Sequence, residues 1–398
     1  MKRSVPVLTG LVAAALLAAC GGDDTASPVN SAQAPTTTAV GTTTTGGTGT
    51  TAAPATTTTD PGISATGISK ERCDANKAAG SITYLSSFDF AAAASILDVV
   101  VAKDRGYFDD VCLDVTIKPS FSTSNYPLVA AGQGQLSSAG AYTEILNFST
   151  GGAKFVAVAD YGKTPIEALV VRDDGRIRTL QDLKGKTIGV KGDLPPSIVA
   201  MLAQAGLKRG TDYKEVLLDG FDPVAHLQTA IDALPVYKSN EPGQLDRAGV
   251  KYKLFDPVEY SIPGSFGVIY TTPDFLAKHP TAVQDFVRAA FKGYSDAVRD
   301  PAGAVAISIK EIDAAGNQNF LTEAGEAFRW QQESAIVGRG TPADAPVGLI
   351  DPTRLQAEVD AYAKAGVFTG GAPSTTGTYD EKVAQGVFAN GALVWPNS

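Results

Sequence analysis

From residue 81 onward the chain alternates short apolar runs with stretches of helical spacing. Residues 81–85 (S-I-T-Y-L), 113–117, 135–139, 154–159 (K-F-V-A-V-A) and 167–171 each have the length of a single buried strand. Between them, residues 91–103 place Ile96, Leu97, Val100 and Val101 on one helical side before Gly106, and residues 124–131 form a shorter helix before Gly132. Residues 140–144 open a further helix. The pattern then starts afresh, with strands at 187–190, 213–218, 233–236 and 250–255 and helices at 198–205 and 224–231. Another strand, 265–270, returns to the first set, and four helical stretches follow at 282–298, 302–312, 322–336 and 352–365, with apolar anchors at Phe388, Leu393 and Trp395. Strands alternating with helices predict mainly parallel sheets joined by right-handed crossovers. Two such α/β units, the second inserted into the first, predict a two-lobed molecule.

The N-terminus changes that picture. Lys2 and Arg3 precede an apolar stretch at 5–19, and Leu17-Ala18-Ala19-Cys20 resembles the bacterial lipobox, which makes residues 1–19 a signal peptide and Cys20 the lipidated first residue of the mature chain. An ordinary secretory signal with a chance cysteine is the alternative. Residues 20–66 are Thr, Gly, Ala, Pro and Ser with almost no large apolar side chain, so they cannot bury enough surface to offset their ordering entropy. They read as a tether, and ~50 residues of flexible coil span on the order of 40 Å. Its threonines are candidate O-glycosylation sites.

Two thiols remain, Cys73 and Cys112. An exported chain meets oxidising conditions, so a bridge is expected, enclosing about 39 residues and contributing roughly 4 kcal/mol; two free thiols are the alternative. His226 and His279 are the only histidines and neither lies near a cysteine, so no metal site is expected, and no cofactor motif is present. A net charge of −9 argues against nucleic acid or an anionic surface as partner.

The most informative stretch is 231–242, I-D-A-L-P-V-Y-K-S-N-E-P. One buried strand ends in Tyr237, Lys238, Ser239, Asn240 and Glu241, which offers a stacking face, an amide and a carboxylate where an α/β sheet opens to ligand. Read plainly, it is a strand-to-helix turn with Asn240 as cap and Glu241 favoured by the helix dipole. The two roles can coexist.

Four phrases in order resemble ABC-transporter solute-binding proteins of the nitrate, sulfonate, taurine and thiamine-pyrimidine-precursor group. A-K-D-R-G-Y-F (102–108) resembles their "A-x-x-x-G-Y-F"; L-Q-D-L-K-G-K-T-I-G-V (180–190) resembles the phrase that opens their second lobe. D-A-L-P-V-Y-K-S-N-E-P (232–242) and F-D-P-V-E-Y-S-I-P-G-S-F-G-V (255–268) resemble the thiamine-precursor branch, with its "Y-x-x-N-E" turn. The likeness covers about residues 81–336. It implies a type II periplasmic-binding-protein fold: one lobe from 67–166, completed by 263–398, and a second from 167–262, joined by crossovers at 160–168 and about 261–266.

On that fold the loops at the carboxyl ends of strands line the cleft. They would contribute Phe88, Asp89, Tyr142, Thr143, Asp160 and Tyr161 from the first lobe, and Asp193, Ser197, Tyr237, Asn240 and Glu241 from the second. Each has a plainer alternative: the aromatics as core, Asp193 as a turn former, Ser197 as a cap. No arginine lies beside these loops in sequence; Lys191 and Lys238 are the nearest cations. The resemblance implies that Glu241 contacts a pyrimidine. An unpaired carboxylate there repels a sulfonate or nitrate and suits an amine or aminopyrimidine. Lys238 and Ser239 depart from the Trp or Asn common in relatives.

The expectation is a lipid-anchored, monomeric, extracytoplasmic solute-binding component of an ABC importer, delivering a small aromatic or nitrogenous ligand such as a thiamine pyrimidine precursor to a permease. A receptor for alkanesulfonate, taurine or nitrate is the alternative within the class. An interaction lipoprotein is a second class. An enzyme is not expected, because pyrimidine-synthesising relatives use histidine and a cysteine-rich segment that this sequence lacks. Cys20→Ala should move the protein from the membrane fraction to the soluble fraction; a variant that stays with the membrane contradicts the anchor.

Overall fold

The computed structural model describes residues 62–149, 152–339 and 346–396. The expected signal peptide, the expected lipidation site Cys20 and residues 20–61 of the expected tether lie outside the described residues. The final part of that stretch is ordered: Ile63–Ser64 pairs antiparallel with Gly67–Ile68, and Ile63 is buried in the core. The chain thus joins its fold a few residues before 67, because Ile63 supplies an apolar side chain that the Thr/Gly-rich segment otherwise lacks.

Ten strands build two five-stranded sheets. In chain order they are β1 Ser81–Leu85, β2 Asp114–Lys118, β3 Leu136–Ala139, β4 Val156–Gly162, β5 Glu167–Arg172, β6 Thr187–Val190, β7 Lys214–Leu217, β8 Ala233–Tyr237, β9 Tyr252–Phe255 and β10 Phe266–Thr271. The helices used below are α1 Lys70–Lys77, α2 Leu97–Asp104, α3 Tyr142–Ser149, α4 Pro196–Gln204, α5 Glu241–Arg247, α6 Pro280–Arg299, α7 Pro301–Ala314, α8 Glu323–Gly338 and α9 Pro352–Lys364.

The first sheet has order β2-β1-β3-β10-β4 and the second β9-β5-β8-β6-β7. β1 pairs parallel with β2 and β3, and β6 pairs parallel with β7 and β8. β10 pairs antiparallel with β3 and β4, and β5 antiparallel with β8 and β9. Four strands in each sheet therefore run one way and one runs against them. The reversed strand is in each case the first strand after the chain has crossed from the other sheet. This is the two-sheet, mainly parallel α/β architecture the pattern predicts.

The two crossovers touch. Gly264 lies so close to Pro165 that an added Cβ would sit 2.6 Å from the proline ring, and one at Gly162 would sit 1.9 Å from Phe266. Only glycine permits both approaches. Lys163, on the first crossover, donates to Asp160 Oδ2 at 2.9 Å and to the Leu349 carbonyl at 2.6 Å, which ties it to the C-terminal segment.

The first sheet is covered by α2 and α6, whose apolar faces meet through Leu97, Val101, Phe286 and Ala290, all buried. Arg72 and Asn76 of α1 reach Asp285 of α6 at 2.7 and 2.6 Å, so a buried carboxylate is matched by charge-assisted donors. The disulfide between Cys73 and Cys112 fastens α1 to the turn before β2.

One predicted helix is cut short. The spacing at 91–103 predicts a helix from residue 91, yet α2 begins at Leu97. The Ala92 and Ala94 N–H groups donate instead to the carboxylates of Glu326 and Glu333, at 2.7 Å each, and Ser95 turns the chain with a φ of 69°. Side-chain capture of the backbone overrides helix propensity here. The remaining helices and strands begin and end within a few residues of their predicted positions, apart from 224–231, whose helix runs Pro223–Gln228.

Candidate functional site

A cleft of about 290 Å³ opens where the carboxyl ends of β1 and β3 face those of β6 and β8. Its walls also include the 93–96 loop, the first residues of β10 and two side chains of α8.

The second sheet contributes a turn with a built-in charge pair. β8 ends at Tyr237 and α5 starts at Glu241, so the Glu241 side chain folds back over the turn. Its Oε2 accepts the Tyr237 N–H at 2.9 Å, and its Oε1 is ion-paired with Lys191, the residue after β6. Glu241 is 1% exposed. The expected uncompensated carboxylate is therefore corrected: parallel pairing of β6 with β8 brings Lys191 alongside, and burial is tolerated because the charge is matched. Asn240 makes no capping bond; its Oδ1 accepts from Arg329 Nη2 and Gln244 Nε2, both at 3.1 Å.

The opposite wall is supplied by α8. Glu326, Arg329 and Glu333 stand at i, i+3 and i+7, on one helix face, and all three are buried. Arg329 Nε donates to both Glu326 oxygens at 3.0 and 3.2 Å, and the guanidinium lies 5.6 Å from the Phe88 ring centroid. The sequence reading, which found no arginine beside the cleft, is corrected here: Arg329 is 89 residues from Asn240 in sequence and arrives by helix packing. Burial works against the Arg329 charge, but the Glu326 and Glu333 carboxylates beside it hold its pKa above the usual guanidinium value. Glu333 accepts from Ala94 N–H at 2.7 Å and from Ser239 Oγ at 2.9 Å. Burial pushes its carboxyl up to about 7, against the pull of Arg329 and of those two donors.

Aromatic rings complete the mouth. Phe88 and Phe121 meet edge to face at 5.6 Å. Phe221 extends from the loop after β7, with Lys191 Nζ 5.8 Å from its centroid, and Tyr237 closes the same side. Phe121, Tyr237 and Phe221 are 44%, 47% and 69% exposed, unusual for large rings unless something covers them.

Of the sequence candidates, Phe88, Tyr237, Asn240 and Glu241 line the cleft, and the other seven do not. Asp89 faces away, its carboxylate accepting from Phe90 N–H and Asn319 Nδ2, each at 2.8 Å. Tyr142 is core: its hydroxyl bonds Thr378 Oγ1 at 2.5 Å and its N–H donates to Ser265 Oγ at 2.9 Å. Thr143 is buried against Glu358 of α9. Tyr161 is core and donates to Asp98 Oδ2. Asp193 lies at the surface, ion-paired with Arg209. Ser197 sits in the first turn of α4 and donates to Glu167 Oε2 at 2.9 Å. Asp160 serves the crossover, through Lys163. The sequence reading missed Ser95, Phe121, Phe221, Arg329 and Glu333. The one signal for the last two was the pattern of charges at helical spacing in 322–336.

With this geometry in place, the chain can be set against known proteins. The NMT1/THI5-like family model matches residues 93–304, just over half of the chain. The chain belongs to the NMT1/THI5-like family. The structure of the alkanesulfonate-binding protein SsuA from Xanthomonas axonopodis pv. citri, bound to MOPS, superposes with a TM-score of 0.54 at 17% identity, covering 75% of this chain and 98% of that one. The aliphatic sulphonate-binding protein SsuA of Escherichia coli gives 0.54 at 14% identity, over 71% and 85%. The ligand-binding component of an ABC-type import system from Staphylococcus aureus gives 0.53 at 13%, over 77% and 97%. At such identities the likeness establishes the solute-binding-protein fold. The riboflavin-binding protein RibY of Chloroflexus aurantiacus is 29% identical over 160 residues, which are 39% of this chain and 44% of RibY. The match thus spans less than half of that relative.

The buried carboxyls of this NMT1/THI5-like chain set its pH response. Burial raises Asp98 and Glu333 to about 7 and Glu358 to about 8. Between about pH 4 and 8 the folded state binds more protons than the unfolded chain, so stability falls as pH rises through that window. Urea unfolding at pH 5.5 and pH 8 should give the higher midpoint at pH 5.5, and Glu358→Gln should narrow the difference. A higher midpoint at pH 8 contradicts these assignments.

Proposed function

We propose that this protein is the lipid-anchored, extracytoplasmic solute-binding component of an ABC importer, and that its cleft takes an uncharged, flat, nitrogen-containing ring compound for delivery to a permease. Membership of the NMT1/THI5-like family and the solute-binding-protein fold support the class. The ligand chemistry rests on one observation: the exposed rings of Phe121, Phe221 and Tyr237 surround a cleft whose two cations are already matched, Lys191 by Glu241 and Arg329 by Glu326. Offset and edge-to-face stacking on such rings rewards a planar aromatic guest. A sulfonate or nitrate needs a cation whose charge is not already spent, and drawing Lys191 away would leave Glu241 buried and unpaired, at a cost of about 3–5 kcal/mol. This favours the ring reading over the sulfonate one, and a neutral ring over the amine that an unpaired Glu241 would suit.

The partial match to RibY supports including flavin-like rings beside aminopyrimidines in this class. Thermal unfolding with riboflavin, lumichrome, an aminopyrimidine, taurine, an alkanesulfonate and nitrate tests the reading. A ring compound at one hundred times its Kd should stabilise by about 2.7 kcal/mol. Tyr237→Ala and Phe221→Ala should weaken that ligand about tenfold each. Stabilisation by sulfonate or nitrate alone contradicts the proposal.

A further inference from the structure

The donors and acceptors in the cleft are almost all committed to one another. Ala94 N–H and the Ser239 hydroxyl are taken by Glu333, Tyr237 N–H and Lys191 by Glu241, and Arg329 gives Nε to Glu326 and Nη2 to Asn240. Ser95 is the exception. It lines the cleft and is 1% exposed, and its Oγ is the one buried hydroxyl among the described lining residues that makes no hydrogen bond. A hydroxyl left dry and unpaired costs stability unless a guest completes it.

Its backbone is strained as well. Ser95 has a φ of 69°, in the left-handed region that suits glycine, and nothing local requires a serine there. The conformation is imposed from outside: Glu333 holds the preceding N–H, the Tyr84 hydroxyl donates to the Ser95 carbonyl, and Ile96 N–H donates to the Ala93 carbonyl at 3.0 Å. These three bonds aim a residue whose own side chain has no partner.

We infer that Ser95 is a specificity-determining residue: its hydroxyl donates to an acceptor on the edge of the ring ligand, a ring carbonyl or equivalent. This rests on the ring-ligand reading above and adds the polar edge by which the ring is told from other flat aromatics. The carboxylates of Glu241 and Glu333 each keep lone pairs for a ligand N–H, whereas Ser95 supplies an uncommitted neutral donor. The site is thus matched to a ring that presents a carbonyl beside an N–H. A site built around such a donor rejects an isostere that lacks the acceptor, because the donor is then buried unpaired.

Two neutral three-ring probes separate the possibilities: lumichrome, which carries a ring dione, and phenazine, which has no carbonyl. Calorimetric titration should show lumichrome binding the unaltered protein more tightly than phenazine. Ser95→Gly, which suits the backbone and removes the hydroxymethyl group, should weaken lumichrome about tenfold and leave phenazine unchanged. Its unfolding temperature should not fall, and Ser95→Ala, whose Cβ strains the backbone as serine's does, should lose the same affinity without glycine's relief of that strain. If Ser95→Gly binds lumichrome as the unaltered protein does, or loses both probes equally, the role assigned to Ser95 is wrong while the ring reading stands. If neither probe binds the unaltered protein, both fall.

Discussion

Two carboxylates of one late helix, Glu326 and Glu333, accept the N–H groups of Ala92 and Ala94, and the cleft depends on that grip. Without it the alanine-rich stretch before α2 has every reason to continue the helix upstream and fill the space where a guest would sit. The grip is strong because it is dry and charge-assisted. Burial raises the proton affinity of Glu333, and Arg329 and the gripped Ala94 N–H offset that only in part. Loop shape, cleft volume and site electrostatics thus trace to one face of α8.

The same helix couples parts of the chain that are distant in sequence. Ser239 and Asn240, at the end of β8, bond Glu333 and Arg329 respectively, so α8 touches both the first-sheet loop and the second-sheet turn. The two crossovers pack on each other at Gly162 and Gly264, where only glycine fits. Hinge closure around a guest is a common response in two-lobed binders. Here a guest would add contacts on both walls at once, and such differential contact is what closure requires.

Much of this was legible in the sequence and some of it was not. Strand and helix order could be read because each apolar run matches its element's period, and the turn at 237–241 stood out because a buried strand ends there in polar groups. Tyr142 and Tyr161 could not be told from cleft residues: a tyrosine at the end of a strand looks the same whether its hydroxyl meets a ligand or, as here, Thr378 and Asp98. The partner of Glu241 was in view as the nearest cation, but the pairing is set by strand order, which sequence spacing does not give. Residues 91–96 read as helix because their captors lie 234 and 239 residues away. The exposed rings of Phe121 and Phe221 carried no periodic signal at all.

The central claim is that the cleft's two cations are already matched by carboxylates and its mouth is walled by aromatic rings, so that it selects a flat, uncharged, nitrogen-containing guest. Mass spectrometry of the small molecules released on denaturing the purified protein tests it most directly. The account predicts a ring compound with ultraviolet absorbance, present near one per chain and depleted in Tyr237→Ala. Recovery of a sulfonate, taurine or nitrate in that stoichiometry, unaffected by Tyr237→Ala, would contradict it.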